Sequence, residues 1–274
     1  PTNEIVFASP PVTGGTSDAI NELAGFLYAA INVGTDAYKW TLSSNSWGSK
    51  LHDFPARVTD SLNFSFGTTE YLAFAHTGGY TYTSDGSSWT DDTTDTLHMA
   101  FWDDRLWGID NAGQLWFSSV IGTEVNDAQL PLPAGYVNNL FVGPDANGED
   151  ILYAATEVGL YAHDAANARF VRTKLKWPQN TNAGKASGVW NGDIYVSPGG
   201  ISLWRYDPQR GVIASIGMDK DGGLDGSYRG GTLDRLVPVH TGIIADISSS
   251  NPTIWEYNGF GWHFFSSLVS FTSA

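Results

Sequence analysis

Residues 151–170 read ILYAATEVGLYAHDAANARF, and their reading decides the fold. Two short strands are joined by the tight Glu157-Val158-Gly159 connection, and a small-residue turn after Asp164 leads to a third strand at Phe170. Ile151, Tyr153 and Ala155 fall on one face and Leu152, Ala154 and Thr156 on the other, the two-residue period of a strand. The pattern returns along the chain. FLYAAINVGTDAYKWTLSSNSW occupies 26–47, YLAFAHTGGYTYTSDGSSW 71–89 and RLWGIDNAGQLWFSS 105–119. DIYVSPGGISLWRYDPQRGV follows at 193–212 and GIIADISSSNPTIWEYNGFGW at 242–262. One hairpin-plus-turn unit thus occurs about six times, and such a repeat constrains the architecture before any single element is assigned.

The second strands of these units start at Leu27, Leu72, Leu106, Leu152, Ile194 and Ile243, which lie 45, 34, 46, 42 and 49 residues apart. A period of about forty with four strands per unit is the pattern of a β-propeller. Helical arrays share that period but need ten-residue amphipathic runs, which are missing here, and a β-sandwich would not explain the repetition. A solenoid is the lesser alternative. The units fall at 18–55, 56–95, 96–135, 136–181, 182–230 and 231–267. The expectation is an all-β propeller of six four-stranded blades, or seven if the two ends build a further blade. Each blade leaves apolar faces that only its neighbours can cover, so the ring should close. Candidate strands at 4–8 and 268–271 would latch it by sharing one blade.

Composition narrows the partners. The 274 residues can bury a large core, and the repeat predicts one domain over 1–274, complete or cut from a longer chain. Charged residues are 16% and aromatics 14%, with 31 glycines, a sheet-and-turn composition. A net charge of −15 argues against nucleic acid, whose phosphates need a basic face, and against an anionic membrane surface. Sugars and other proteins remain. The chain has no cysteine, which excludes disulfides and Cys-metal sites and leaves the redox compartment unread. No run approaches the roughly 18 apolar residues of a membrane helix, so no membrane insertion is expected. The start, PTNEIVFASPP, has neither an initial Met nor a basic region, as in a trimmed or processed form, so the absence of an export signal excludes nothing.

Several motifs are candidates for chemistry. Turns between third and fourth strands repeat an aromatic, an Asx or Ser, a Gly and a second aromatic, as in Trp255-EYNGFG-Trp262. There the Asx side chain folds back on backbone N–H groups and the Gly supplies positive φ. Thr83-Ser84-Asp85-Gly86-Ser87-Ser88-Trp89 resembles a shortened Asp-box, the structural turn of sialidase-like and other propellers. Asp219, Asp221 and Asp225 alternate along an Asp/Gly loop, as calcium ligands would, although the distal Glu of an EF-hand is missing. The other reading of that loop is a solvated connection between the fifth and sixth units. Of eleven tryptophans, seven recur at matched strand positions and read as core. Trp102, Trp177 and Trp190 sit off that register and are the candidates for stacking on a sugar ring.

Catalytic signals are poor. The six histidines show no metal spacing, and no G-x-S-x-G elbow occurs. Propeller glycosidases need paired carboxylates. Asp36, Asp104, Asp193 and Asp246 lie near inner strands, where turns also use Asp for ordinary reasons.

The ending SSSNPTIWEYNGFGWHFF (248–265), with DKDGGLDGSYRGG (219–231) before it, resembles repeat proteins encoded in structural modules of tailed phages and viral metagenomes. In those a final blade closes on Tyr-Asn-Gly-x-Gly-Trp-His, here Tyr257, Asn258, Gly259, Gly261, Trp262 and His263. The resemblance covers about fifty residues, carries no catalytic residue, and implies a virion- or tail-associated propeller. Three functions follow as expectations. The first is a non-enzymatic structural or adhesion module, virion-borne or extracellular, that binds a tail protein or a host-surface glycan. The second is a secreted sugar-binding lectin, marked by equivalent pockets with exposed Trp. The third is a propeller glycosidase, marked by carboxylates converging near the axis. Fold alone does not choose among them.

Overall fold

The computed structural model describes residues 19–31, 35–41, 46–132, 136–220, 231–248 and 253–267. The described strands pair with their sequence neighbours in runs of four. The first run is β1 (Ala19–Leu23), β2 (Phe26–Ile31), β3 (Asp36–Thr41) and β4 (Ser46–Asp53). The second is β5 (Val58–Phe66), β6 (Thr69–His76), β7 (Gly79–Thr83) and β8 (Thr90–Asp92). Next come β9 (His98–Trp102), β10 (Arg105–Ile109), β11 (Gln114–Ser118) and β12 (Val125–Gln129). They are followed by β13 (Val137–Pro144), β14 (Asp150–Thr156), β15 (Gly159–Asp164) and β16 (Arg169–Lys176). The last two runs are β17 (Ser187–Trp190), β18 (Asp193–Val196), β19 (Trp204–Asp207) and β20 (Val212–Ser215), then β21 (Thr232–Val239), β22 (Gly242–Ser248), β23 (Thr253–Tyr257) and β24 (Trp262–Ser267). Among the described residues no helix is long and apolar enough to cross a membrane.

The sheet count departs from the sequence expectation of separate four-stranded blades. Among the described residues, hydrogen bonding makes four sheets of four strands and one of eight. In the larger sheet the outer strands β12 and β16 meet in parallel through a single pair, Gln129 with Arg169. His163 on β15 reinforces the junction, its Nε2 lying 2.6 Å from Asp127 Oδ2 with the imidazole almost wholly buried. The strands expected at 4–8 and 268–271, with the ring closure drawn from them, lie outside the described residues.

The chain packs as two compact units. The first takes the described residues up to 111 together with 116–126, and the second takes 112–115 and the residues from 127 onward. Within the first, β1 lies beside β5 and β5 beside β9; within the second, β13 lies beside β17 and β17 beside β21. First strands side by side, with later strands stepping outward, give the packing of a β-propeller-like fold.

Burial follows that order. Strands second in their runs are sandwiched on both faces, so Leu152, Tyr153, Ala154 and Ala155 are all buried rather than alternating. The repeat positions Leu72, Leu106, Leu152, Ile194 and Ile243 are at most 1% exposed, each worth about 1.5–3 kcal/mol of apolar burial. Fourth strands such as β4 and β20 are mostly exposed. Close packing demands Gly108, where a Cβ would overlap the Trp116 indole. The hairpins use left-handed residues. Asp103 and Asp104 have φ of 52° and 53°, and Asn191 and Gly192 have 51° and 79°, as tight two-residue hairpin turns require.

Neighbouring runs are tied by side chains at bulged first strands. The register of β5 slips between Val58 and Asp60, where Thr59 Oγ1 donates to Leu97 O (2.6 Å) and Asp60 Oδ2 accepts from Met99 N (2.9 Å). The register of β13 slips between Val137 and Asn139. There Asn138 Nδ2 donates to Thr181 O and Ala183 O, and Asn139 Nδ2 donates to Ser187 Oγ at 2.9 Å. A bulge re-aims one residue out of the ladder, which frees it for such a bond.

Candidate functional site

The structure places the three off-register tryptophans differently. Trp177 follows β16 and is 7% exposed, within a core cluster that includes Tyr153, Leu160, Leu175 and Tyr206. Its Nε1 donates to Thr156 O (3.2 Å), and its ring stands edge-on to Trp204 at 5.9 Å. The expected sugar platform at Trp177 is therefore corrected to a core indole, because the chain turns inward after β16 and gives the N–H a buried carbonyl. Trp102 is half-buried, and its carbonyl accepts from Trp107 Nε1 at 3.0 Å. Trp190 is half-buried against Tyr195 (6.0 Å) and Tyr257 (6.4 Å). Trp177 and Trp190 occupy separate clusters of the second unit and do not converge; Trp102 belongs to the first unit.

Asp219 starts a one-turn 3-10 helix (Met218–Lys220), with Lys220 Nζ 3.6 Å from its Oδ2. Asp221 and Asp225, the other expected calcium ligands, lie outside the described residues. Among the described residues no group of three His, Asp or Glu side chains is set to hold a metal.

The Asp-box-like turn has the expected geometry. Asp85 Oδ1 accepts from Ser87 N (2.8 Å) and Ser88 N (2.7 Å), while Thr83 Oγ1 accepts from Gly86 N (2.9 Å). Those amide donors, Ser88 first, hold the Asp85 carboxyl far below the usual range. Asn258 repeats the device, its Oδ1 accepting from Phe260 N and Gly261 N. In both turns the side-chain oxygen is spent on the turn's own backbone, and Asn258 Nδ2 also lies 2.9 Å from His263 Nε2.

The second unit holds an open cleft of about 430 Å³. It lies between the run β13–β16 and the turn that follows β19. It is lined by Arg172, Thr173 and Lys174 of β16 together with Tyr153, Tyr206 and Pro208. Lys174 Nζ lies 2.7 Å from where a Cβ on Gly211 would stand, so it spans toward the neighbouring turn. Tyr153 is buried and donates to Pro144 O (2.7 Å); burial, then Tyr206 and Asp145, push its phenol up. Burial, then Asp207, raises the Tyr206 phenol as well. Both tyrosines are therefore neutral hydrogen-bonding groups at physiological pH.

Asp145 is the one carboxylate of the lining. Its Oδ1 accepts from Asn147 N (2.7 Å) and Glu149 N (2.9 Å), and its Oδ2 from Asn147 Nδ2 (3.2 Å). Burial would raise this carboxyl, but the donors from Glu149 and Asn147 outweigh it and hold the group below its ordinary value. Arg172 and Lys174, in contrast, make no hydrogen bond or ion pair among the described residues. Sequence reasoning missed this cleft. Its lining comes from residues about thirty apart, and the one local signal that could have found it is the basic run RFVRTKLK (169–176).

A second feature is Asp246 on β22. Its Oδ1 is buried without a hydrogen-bond partner, and its carboxyl is raised by burial first and by Asp234 second, against a smaller opposing effect of Arg235. Asp234 stands at the register shift of β21, between Leu233 and Arg235.

No family model matches this chain, and no curated protein matches it in sequence. Solved structures of propeller-like fold do. One is the extracellular domain of a B. thetaiotaomicron protein assigned to the hybrid two-component systems, with TM-score 0.66, 14% identity, and coverage of 90% of this chain and 32% of that one. U3-55K aligns with TM-score 0.61 and 10% identity over 94% of this chain and 86% of its own. The computationally designed Ika8 protein gives 0.59 and 11% over 94% and 76%. The chain thus spans about a third of the first of these structures. At such identities the likeness shows the fold alone.

Proposed function

We propose that this chain is a non-catalytic binding propeller that holds a surface glycan and serves as an adhesion module of a virion, tail or comparable extracellular particle. In this reading the propeller has six blades, the two halves of the eight-stranded sheet counting separately, since one residue pair joins them. The observation that carries the binding role is the cleft. Its two cations are without partners among the described residues, whereas its single carboxylate is already engaged by its own turn. That is chemistry for holding a sugar; hydrolysis by the usual route needs two working carboxylates flanking the bond. The particle setting is supported by the resemblance of the last unit.

One observation favours the glycosidase reading: Asp246 is a carboxyl with a raised pKa beside a second carboxylate, the combination that makes a general acid. A glycan array with and without calcium, followed by incubation of each bound glycan with the protein, separates the two. Retention of intact glycan supports the adhesion reading. Turnover that disappears in Asp246→Asn overturns it in favour of the enzyme.

A further inference from the structure

The chain distributes its charge unevenly. Residues 165–192 hold Arg169, Arg172, Lys174, Lys176 and Lys185 and no Asp or Glu, within a chain of net charge −15. Arg169 is paired with Asp164 at 3.2 Å, and Lys185 Nζ donates to Asn182 Oδ1 at 2.8 Å. Arg172 and Lys174 are left without such partners among the described residues, and both stand on the cleft wall. Two neighbouring cations repel each other, and an anion placed between them relieves the repulsion.

We propose that the cleft binds a saccharide bearing a carboxylate or sulfate group, an inference that rests on the glycan-binding reading above. The planar Arg172 guanidinium offers paired N–H donors that match the oxygens of either group, and Lys174 adds a point charge. Tyr206 and Pro208 also line the space; both are largely buried and add little exposed surface, so recognition rests on Arg172 and Lys174. The 430 Å³ space lies within the roughly 300–1,000 Å³ of small-ligand sites. An acidic peptide is the weaker fit. It would bind by adding a strand to β16, whose start is paired with Gln129 and whose Leu175 N–H is taken by Thr173 Oγ1 at 3.1 Å.

Titration calorimetry on the full chain tests this with four probes: a galacturonic acid trisaccharide, its carboxyl-reduced neutral counterpart, a sulfated trisaccharide, and a poly-glutamate peptide. The expected result is binding of one or both acidic sugars at least about tenfold tighter than the neutral one, weakened by salt. Arg172→Ala and Lys174→Ala should each cost about tenfold in affinity, and Arg172→Lys should restore only part of it. Phe260→Ala, at a side chain 99% exposed on another turn, should change nothing. Equal binding of neutral and acidic sugars, indifferent to Arg172→Ala, overturns the anionic class and leaves the glycan reading standing. Binding of poly-glutamate alone overturns both, and failure of both acidic sugars to bind overturns the inference.

Discussion

Thr81→Val is the most informative single substitution in the first unit. Thr81 on β7 is fully buried and links residues on two other strands, with a third joined through Asp91. Its Oγ1 donates to Asp91 Oδ1 on β8 at 2.6 Å, and His76 Nε2 on β6 lies 3.1 Å from the same oxygen. The one hydroxyl proton goes to the carboxylate, so His76 must carry its hydrogen on Nε2 and donate it to Thr81. His52 Nε2 on β4 lies 3.0 Å from Asp91 Oδ1, and its ring stacks on Trp89 at 5.7 Å and 14°. Valine keeps the shape, the β-branch and the strand preference of threonine but removes the link. The lost hydrogen bond to a charged group costs about 1.5–3 kcal/mol, and a stranded His76 N–H costs roughly 1–3 kcal/mol more. Taking about 3 kcal/mol for the coupled pair, and 2–4 °C per kcal/mol at this chain length, Tm should fall by about 6–12 °C. Thr81→Ser keeps the hydroxyl and should fall by only about 2–4 °C, near 1 kcal/mol for the lost methyl. Thermal unfolding followed by circular dichroism measures both. If valine proves as stable as threonine, or more stable than serine, the reasoning from the relay is wrong and apolar burial decides this site.

Three further outcomes are expected. Trp177→Ala should destabilise the protein by about 3–5 kcal/mol, read as a lower urea midpoint, since it empties a core site; an unchanged midpoint would return Trp177 to the surface. Asp246→Asn should raise Tm at pH 7. The folded pKa of Asp246 lies above its ordinary value, so the stability tied to its protonated form is present below about pH 4 and lost as pH rises through the raised value. The advantage of the variant should therefore close as pH falls toward 4, and a pH-independent gap would contradict the account. Asp85→Ala should lower Tm at neutral pH. Its depressed carboxyl contributes above about pH 4 and loses that contribution as pH falls further, so the two Tm curves should converge in acid.

Much of the fold was legible because its determinants are local. Each unit announces itself by a buried second strand and a short turn, and the unit limits read from the sequence bracket the runs of four strands. The Asp103-Asp104 and Asn191-Gly192 hairpins were readable because positive φ falls on few residue types. The joining of β12 to β16 was not, since one backbone pair between outer strands depends on how whole sheets sit. Trp177 misled because its departure from the repeat was read as exposure, whereas the bulged end of β16 carries it inward. The cleft was hidden for a similar reason. Arg172 and Tyr206 are brought together by stacking of adjacent sheets, which no residue spacing records; the charge run over 169–176 is the one local feature that could have pointed to the place.

The side-chain bonds from Thr59 and Asn138 to the next run end on main-chain carbonyls. A carbonyl is supplied by whatever residue occupies the position, so these ties make no demand on the neighbour's side chain. Adjacent units can diverge in sequence while the tie persists, and a unit copied or exchanged as a whole would arrive with an acceptor already in place. Evolutionary drift is then spent on the turns and outer strands. That is where this chain has placed both its basic run and Phe260, the most exposed aromatic side chain among the described residues.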